Sequence, residues 1–389
     1  MAATAADKIL RDKGYNFGIR EDQMKVISSI LELKDTFAIF PTEIKEGKSV
    51  VVLATPEAVL SKQWRSIILD VRQNIGMVAY DEAHCISEWG LDFREDCCKI
   101  GLLQSIIEAP VLALSATVTK EIKKDIGNVL GLSSNTVVIA TLPDRPNILI
   151  DICISTENYE EELQWVQDAV GKYGKVCKKI IIYVNSISAC EGIYIWLHSA
   201  LCKNAYSGHV CLENRLVEMF HASTDVESKG RIIESFCRPG GTVRVLIATV
   251  ACGMGMDIPD IALCVLWDLP PSMMQMWQEI GRCGRDGRDS LAICYAFPRS
   301  ISLPCQKCRK SNHRKCSCEA GQYIRELTTT QGCYRTHCLE PFKLENIDSH
   351  TISDANKTYV LLVKVLVCVV VTCANVAQIV RGNVHAPVK

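Results

Sequence analysis

Hydrophobic and polar positions follow two alternating patterns along the chain: short apolar runs, and longer stretches with one apolar face. The apolar runs at residues 50–54, 75–80 and 111–115 predict buried strands, because a strand covered on both faces is continuously hydrophobic. Residues 120–130 have helical periodicity and predict an amphipathic helix. Strands and helices that alternate in this way are typical of doubly wound parallel sheets.

A stretch rich in helix breakers, residues 141–147, separates this first set from a second one. The second set repeats the alternation. Its predicted strands span residues 179–184, 216–220, 243–248, 264–267 and 292–295, and its predicted helices span residues 188–201, 227–236 and 272–280. The pattern therefore predicts two consecutive α/β domains.

Composition fits a chain of that organisation. The 389 residues are 48% hydrophobic, which is enough for two or three domains with cores of their own. The 21 cysteines would indicate disulfides in a short secreted chain, but the polar opening residues do not resemble a signal peptide. We therefore expect reduced thiols in a nuclear protein, or in one also found in the cytoplasm.

The formal net charge is −1, so any contact with nucleic acid would come from local basic clusters rather than from an overall field. Two clusters are candidates, and an ordinary solvated surface explains either one equally well. They are Lys172, Lys175, Lys178 and Lys179, and Lys307, Arg309, Lys310, Arg314 and Lys315.

An acidic pair follows the predicted strand at residues 75–80 and opens the string Asp81-Glu82-Ala83-His84. P-loop NTPases present one such carboxylate to Mg²⁺ and a second one to the attacking water. Acids after a strand can also serve only to solvate a loop. The residues that follow, 85–94, resemble the aromatic-rich loop after the DEAH box of RecQ DNA helicases, and this favours the phosphoryl-transfer interpretation.

A second constellation lies in the second predicted domain. Residues 249–260 follow a strand, and their two glycines allow the backbone to come close to phosphate or nucleic acid. Farther along, Arg282 and Arg285 lie three residues apart at the end of a predicted helix. Such a pair can face a γ-phosphate in a cleft between domains and stabilise its transition-state charge. A solvated, Gly-capped helix end would explain the glycines but not the whole string 278–287.

Together these strings resemble RecQ-type ATP-dependent DNA helicases of helicase superfamily two. Residues 14–23 resemble the family's adenine-recognising motif, 115–117 the motif that couples hydrolysis to strand separation, and 145–147 its interdomain string. The resemblance implies an α/β fold with two RecA-like P-loop NTPase domains, each with a parallel sheet, plus a small Cys-rich C-terminal segment. The implied domains are a first RecA-like domain at 1–142, a second at 143–300, a degraded zinc-binding-like segment at 301–350 and an apolar tail at 351–389.

The resemblance also implies roles for individual residues. Asp81 would hold Mg²⁺ and Glu82 would orient the water, and the other implied catalytic residues are His84, Gln278, Arg282 and Arg285. The implied ATP contacts are Tyr15, Arg20, Gln23, Gly253 and Asp257, and the implied DNA contacts are Trp89, Phe93, Arg94, Ser115 and Thr117. Trp89 and Phe93 have an alternative interpretation as core residues.

The phosphate loop departs from the family pattern. Thr42 stands where the first glycine of the spaced motif belongs, and Gly47-Lys48-Ser49 runs into a β-branched strand instead of a helix. That strand ends in Thr55-Pro56-Glu57, which resembles a family string found shortly before the DEAH box. We therefore interpret Gly47-Lys48-Ser49 as a chance match, and we expect the first domain to lack its phosphate loop and the helix after it.

The C-terminal third shows a similar departure. Residues 332–342 resemble the start of the RecQ zinc subdomain, with Cys333 as its first ligand, but the usual cluster of three cysteines does not follow. Cys305, Cys308, Cys316 and Cys318 have spacings that suit either a zinc site or unliganded thiols. Residues 359–380 are apolar but include Lys364 and two amides, so we expect a buried segment rather than a membrane anchor.

The sequence thus predicts an ATP- and Mg²⁺-dependent 3′-to-5′ DNA helicase that separates strands in repair or recombination and binds single-stranded and forked DNA. Loss of the phosphate loop would impair it, and whether this chain hydrolyses ATP stays open. The alternative is a non-catalytic DNA-binding or regulatory relative that keeps the scaffold. An RNA helicase of the same superfamily is disfavoured by the 85–94 loop.

Overall fold

The computed structural model describes residues 54–88, 99–133, 136–140, 142–249, 258, 260–302 and 319–344. The chain divides into two compact units. Unit 1 comprises Met1–Pro143 with Pro341–Ser349, and unit 2 comprises Asp144–Glu340 with His350–Lys389. The predicted strand at 50–54 lies almost wholly outside the described residues.

Unit 1 contains two short parallel strands, β1 (Val78–Tyr80) and β2 (Val111–Ala113), paired from Val78 opposite Val111 to Tyr80 opposite Ala113. Both strands lie inside the predicted runs. The α-helices of this unit are α1 (Pro56–Val59), α2 (Lys62–Val71), α3 (Cys85–Glu88) and α4 (Lys120–Leu130), and short 3-10 helices span Arg72–Asn74 and Ile100–Ser105.

Helix α4 shows how local sequence sets these bounds. The Thr119 side chain accepts a hydrogen bond from the amide of Ile122 and caps the first turn. Gly131 ends the helix with φ +60°, a left-handed conformation that glycine adopts without steric cost. Ile122, Ile126 and Leu130 are buried at four-residue spacing, so one face of α4 packs into the unit. The predicted helix 120–130 is confirmed.

Unit 2 is built on a six-stranded, all-parallel sheet with the order β3-β8-β7-β4-β6-β5. Its strands are β3 (Ile148–Ile154), β4 (Lys179–Val184), β5 (Val217–Phe220), β6 (Val245–Ala248), β7 (Ile261–Trp267) and β8 (Ser290–Ala296). Every residue of β4, β6 and β8 is buried, as expected for strands covered on both faces.

The helices of unit 2 cover this sheet. They are α5 (Tyr159–Glu162), α6 (Gln164–Tyr173), α7 (Ile187–Leu201), α8 (Val226–Cys237), α9 (Met273–Ile280), α10 (Pro298–Ser302), α11 (Glu319–Thr329) and α12 (Tyr334–Leu339). Short 3-10 helices span Gly174–Val176, Cys202–Ala205, Leu212–Asn214 and Glu340–Phe342. Helix α11 packs against α9, α10 and α12, and α12 packs against β3, so these two C-terminal helices belong to unit 2.

Strand β3 was not predicted, and Lys179 was assigned to the wrong environment. Asp151 interrupts the apolar run of β3, where it is buried and accepts a hydrogen bond from the amide of Ile152. Lys179 is buried rather than part of a basic surface, because its Nζ donates to Asp260 Oδ1 at 2.7 Å and to the carbonyl of Arg238 at 3.1 Å. The proposed DNA contact at Lys179 is therefore wrong. Among the described residues, no helix combines the length and apolarity needed to cross a bilayer.

Candidate functional site

The acid box, residues 81–84, lies where β1 ends and beside the end of β2. The amide of Leu114 donates to the carbonyl of Tyr80 at 2.9 Å, and the amide of Ala83 donates to the carbonyl of Leu114 at 2.8 Å. Because parallel strands end at the same edge of a sheet, this ladder brings the box next to Ser115. The predicted strand thus delivers the predicted acids to the carboxyl edge of the sheet.

His84 joins the box to the segment after β2. Its side chain is 3% exposed, and its Nδ1 lies 2.8 Å from Ser115 Oγ and 3.3 Å from Glu82 Oε2. Ser115 Oγ donates its single proton to the carbonyl of Thr117 at 2.9 Å, so it must accept from a protonated Nδ1. Burial lowers the pKa of His84, partly opposed by the negative charge of Asp81. The imidazole is therefore a neutral, fixed donor near pH 7.

Asp81 and Glu82 are both exposed, in contrast to His84. Glu82 has φ 49°, which is uncommon for a residue other than glycine, and its amide donates to Asp81 Oδ1 at 2.9 Å. Carboxylate oxygens are the ligands that Mg²⁺ prefers, and only a few of them are needed because Mg²⁺ keeps several waters. The donor set thus suits the implied metal, with Asp81 as the residue that would hold it.

Ser115 and Thr117 serve this local network in the structure. Ser115 is half-buried between His84 and the carbonyl of Thr117, and the side chain of Thr117 is 5% exposed. Their contact with DNA stays a prediction. Next to the box, Ser87 Oγ donates to Asp125 Oδ2 at 2.6 Å, which ties α3 to α4.

Unit 2 carries the second group of predicted residues. Helix α9 begins after Ser272, whose side chain accepts from the amide of Gln275, and it ends at Ile280. The arginine turn, residues 281–288, follows. Gln278 and Arg282 are half-buried, whereas Arg285 is exposed. The structure therefore places both predicted arginines on one turn with part of their surface accessible.

The Arg-Pro-Asn string before β3 braces the arginine turn. Arg145 Nη2 donates to the carbonyls of Gly284 at 2.8 Å and Cys283 at 3.3 Å, and its Nη1 donates to the carbonyl of Gly281 at 3.3 Å. Asn147 Nδ2 donates to the carbonyls of Gly284 at 2.7 Å and Arg288 at 2.9 Å. These contacts give hydrogen-bond donors to carbonyls of the turn after α9, and they fix the turn to the segment in front of β3.

Gly284 is required by this close packing. It has φ +61°, and a Cβ at this position would lie 2.5 Å from Asn147 Nδ2 and 2.8 Å from Ser290 Oγ. Its amide donates to the carbonyl of Ile261 at 2.9 Å, which holds the turn against the amino-terminal end of β7. The turn is therefore fixed both by the sheet and by the string in front of β3.

Glu279, one residue before the end of α9, was missed by the sequence analysis. It is buried, and burial raises its pKa to about 7, opposed only partly by the hydrogen bond that Gln275 donates to it at 2.9 Å. The neighbouring Gln278 and Arg282 were assigned as phosphate contacts, and no local sequence pattern marks Glu279 as a buried acid. The only available signal was its position on the apolar side of the predicted helix.

Several predicted site residues lie outside the described part of the chain. They are Tyr15, Arg20, Gln23, Trp89, Phe93, Arg94, Gly253, Asp257, Cys305, Cys308, Cys316 and Cys318. Cys333, the remaining zinc candidate, is half-buried just before α12. In the described ranges no three or more His, Cys, Asp or Glu side chains group as a metal site, so zinc stays a prediction.

Comparison with known proteins defines the class. The profile of the DEAD/DEAH box helicase domain matches residues 25–125, and that of the helicase conserved C-terminal domain matches residues 162–287. The chain therefore carries both conserved domains of a helicase. The predicted fold class, two RecA-like α/β domains with parallel sheets, is confirmed, whereas the separate Cys-rich segment is not.

Among proteins of this class, the chain resembles RecQ-type enzymes over most of its length, as predicted. It is 30% identical over 305 residues to the ATP-dependent DNA helicase RecQ of Pasteurella multocida, a match that covers 77% of this chain and 44% of the relative. It is 32% identical over 250 residues to the mouse bifunctional 3′-5′ exonuclease/ATP-dependent helicase WRN, covering 64% of this chain and 17% of that protein.

Other similar proteins have names that refer to RNA. A putative ATP-dependent RNA helicase of Acanthamoeba polyphaga mimivirus is 28% identical over 311 residues, covering 78% of this chain and 52% of the relative. The chain thus spans about half or less of the length of these relatives. The structure of Saccharomyces cerevisiae Dbp5 bound to RNA and ADP BeF3 is similar to this chain with a TM-score of 0.46 and 19% sequence identity. The match covers 76% of this chain and 68% of the Dbp5 chain. A likeness that distant says nothing about substrate.

Proposed function

We propose that this chain is a RecQ-like ATP-dependent helicase that moves 3′ to 5′ on DNA and separates its strands. The observation that carries the proposal is the hydrogen bond between the buried His84 and the half-buried Ser115. It couples the acid box to the segment after β2, so a change at the nucleotide can be felt in a second loop of the same unit. The name of the RecQ relative, an ATP-dependent DNA helicase, supports DNA as the substrate.

In this proposal the exposed charges meet ATP. Bound Mg²⁺ would neutralise charge on the phosphoryl oxygens, and Asp81 is the residue that would hold it. Glu82 would orient the attacking water, while His84 keeps the box in place. Arg282 and Arg285, with Gln278, would contact the phosphates. Each of these assignments rests on the resemblance, supported by the exposure of Asp81, Glu82 and Arg285.

Loss of the phosphate loop is part of the same proposal. Without a lysine and a cradle of amides around the phosphates, both positioning and charge stabilisation are weakened, so turnover is slow. Lys48→Ala should leave ATP hydrolysis unchanged, because Gly47-Lys48-Ser49 is interpreted as a chance match. A large loss of hydrolysis in that variant would instead identify this string as the phosphate loop.

Unwinding of tailed duplexes tests the proposal. Full-length protein should separate a duplex with a 3′ single-stranded tail and not one with a 5′ tail, at a low rate. Asp81→Asn should abolish the activity, and Asp70→Asn, an exposed acid on α2, should leave it intact as the matched control. Preference for the 5′ tail, or for an RNA tail in the same duplex, would contradict the proposed polarity or substrate.

The alternative, a non-catalytic DNA-binding relative, predicts a different pair of results. Single-stranded DNA would bind, and binding would weaken with added salt because phosphate contacts release counterions. Unwinding would equal the Asp81→Asn background. Under both hypotheses, Trp89→Ala should cost about 1–3 kcal/mol of binding free energy if its ring stacks on a base. A nuclear location and a role in repair or recombination complete the proposal, and both rest on the resemblance alone.

A further inference from the structure

Arg335 in α12 is a fully buried cation in the described part of unit 2, and the site as described does not use it. Its side chain is 0% exposed. Its Nη1 donates to Asp144 Oδ1 at 2.7 Å and to the carbonyl of Arg145 at 2.7 Å, and its Nη2 donates to the carbonyl of Ile148. Asp144 and Arg145 belong to the short segment that leads into β3, and Ile148 is the first residue of that strand.

Side chains of the same segment also bind the arginine turn. The carbonyl of Arg145 accepts from Arg335, while the guanidinium of Arg145 donates to the carbonyls of Gly281, Cys283 and Gly284. Asn147, between the residues that Arg335 contacts, donates to the carbonyl of Gly284 as well. A continuous series of side-chain to carbonyl hydrogen bonds therefore runs from α12 to the turn that carries Arg282.

The chemistry of Arg335 suits a positioning role. A planar guanidinium donates several hydrogen bonds in fixed directions, so it can define where three acceptors lie relative to each other, and a lysine ammonium cannot. The site is not optimised for stability alone, since Nε of Arg335 is buried and has no hydrogen-bond partner among the described residues. A buried cation with one carboxylate partner is weak evidence for stability and better evidence for a specific arrangement.

We propose that Arg335 is a positioning residue for the arginine turn, acting through residues 144–147 to set where Arg282 and Arg285 lie. The proposal rests on the proposed function for the role of those two arginines. It also gives residues 332–338 a task that requires no zinc: they anchor the entry to β3. The braced turn and its anchor lie wholly within unit 2.

Hydrogen exchange of the full-length chain tests the proposal without requiring ATP turnover. The amides of Gly281, Gly284 and Gly287 are hydrogen-bonded to carbonyls of Trp277, Ile261 and Gly284, so their exchange reports on the turn. In Arg335→Lys the turn should exchange about tenfold faster, the effect of losing one charge-assisted hydrogen bond, while β4 and β6 keep their wild-type rates. Arg238→Lys is the matched control, because the Arg238 side chain is exposed and pairs with the exposed Glu234, and the substitution leaves the backbone carbonyl that Lys179 contacts in place.

Unchanged exchange of the turn in Arg335→Lys would overturn the proposal, and so would an equal acceleration throughout unit 2, which indicates a purely structural role. If Arg335→Lys does not fold, Arg145→Lys breaks the next link instead. It should accelerate the turn while α12 exchanges as in the wild type, and an unaffected turn in that variant would again overturn the proposal.

A chemical rescue adds a readout that general destabilisation does not produce. Guanidinium ion should restore slow exchange of the turn in Arg335→Ala, whereas sodium chloride at the same concentration should not. Failure of guanidinium to do so in folded Arg335→Ala would count against a guanidinium-specific role. These exchange results stand whether or not the chain hydrolyses ATP, so a failure of the proposed function is distinguishable from a failure of this inference.

Discussion

The acid box and the arginine turn are both charged, accessible sites, but they are supported in opposite ways. The acid box lies at the carboxyl ends of two short strands, and it is joined to the segment after β2 by the backbone bond from Ala83 to Leu114 and by the buried His84. The arginine turn lies near the amino-terminal ends of β7 and β8 in a six-stranded sheet, and Arg145 and Asn147 bind its carbonyls.

The comparison shows that the groups expected to do chemistry are not the ones that hold the site. Asp81, Glu82 and Arg285 are exposed, and their positions depend on the buried or half-buried residues behind them. In the described part of unit 1 that support comes from His84 and from the buried Ala83, whereas in unit 2 it is a network of side chains that extends to Arg335. We therefore expect substitutions at supporting residues to have larger effects on stability in unit 2 than in unit 1.

The largest effect is expected for Gly284→Ala. The positive φ costs about 1–2 kcal/mol for a residue with a Cβ, and overlap with Asn147 adds about 1–3 kcal/mol, for a total of about 2–5 kcal/mol. Gly287→Ala is the matched control: its φ is +79°, and no atom of the described residues lies within 4 Å of a Cβ placed there, so this variant should lose only the roughly 1–2 kcal/mol that the positive φ costs. Exchange of the slowest amides of β4 measures the loss of unfolding free energy in each variant. Equal losses in the two variants would contradict the close packing of Gly284.

A smaller effect is expected from the titration of Glu279. Its pKa is raised from 4.5 to about 7, so its stabilising contribution is complete below pH 4.5 and is lost as pH rises through about 7. The shift corresponds to about 3 kcal/mol. Glu279→Gln should lack this loss and gain stability relative to the wild type between pH 5 and pH 8, as measured by exchange corrected for its intrinsic pH dependence. Parallel pH profiles for the two proteins would show that Glu279 is not buried in its acid form.

The smallest effect is expected in unit 1. Removing the hydroxyl that His84 contacts, in Ser115→Ala, should cost about 1 kcal/mol. Because burial lowers the pKa of His84, unit 1 should also lose stability as pH falls below about 6.5, and His84→Gln should not. Ser87→Ala, which removes only an exposed hydrogen bond to Asp125, is the control and should be nearly neutral. A Ser115→Ala protein as stable as Ser87→Ala would remove the basis for coupling through His84.

Elements with local signals were predictable. Helix Lys120–Leu130 has its cap residue, its glycine and its apolar face in sequence, and strand Lys179–Val184 is an almost continuous apolar run. Strand β3 was missed because Asp151 interrupts its pattern. An element was predicted correctly where the residues next to each other in sequence show its type and its buried face, and it was missed where they do not.

The support of the sites could not be predicted in the same way. Lys179 and Asp260 are 81 residues apart, and Arg145 and Gly284 are 139 residues apart, so only the folded sheet shows that they pair. The acids and arginines themselves were found because each follows a strand or helix in a recognisable string. No sequence motif marks Arg335 as a buried partner of residues 144–148, and only the structure shows these contacts.

Hydrolysis of ATP by the full-length chain with saturating single-stranded DNA tests the central claim most directly, that the acid box and the arginine turn serve one reaction. We predict a rate above background but well below the typical enzyme value of about 10 s⁻¹, reduced to the same background by Asp81→Asn and by Arg282→Ala, with DNA binding retained in both variants. A wild-type rate equal to that of Asp81→Asn, or full activity in Arg282→Ala, would contradict the account.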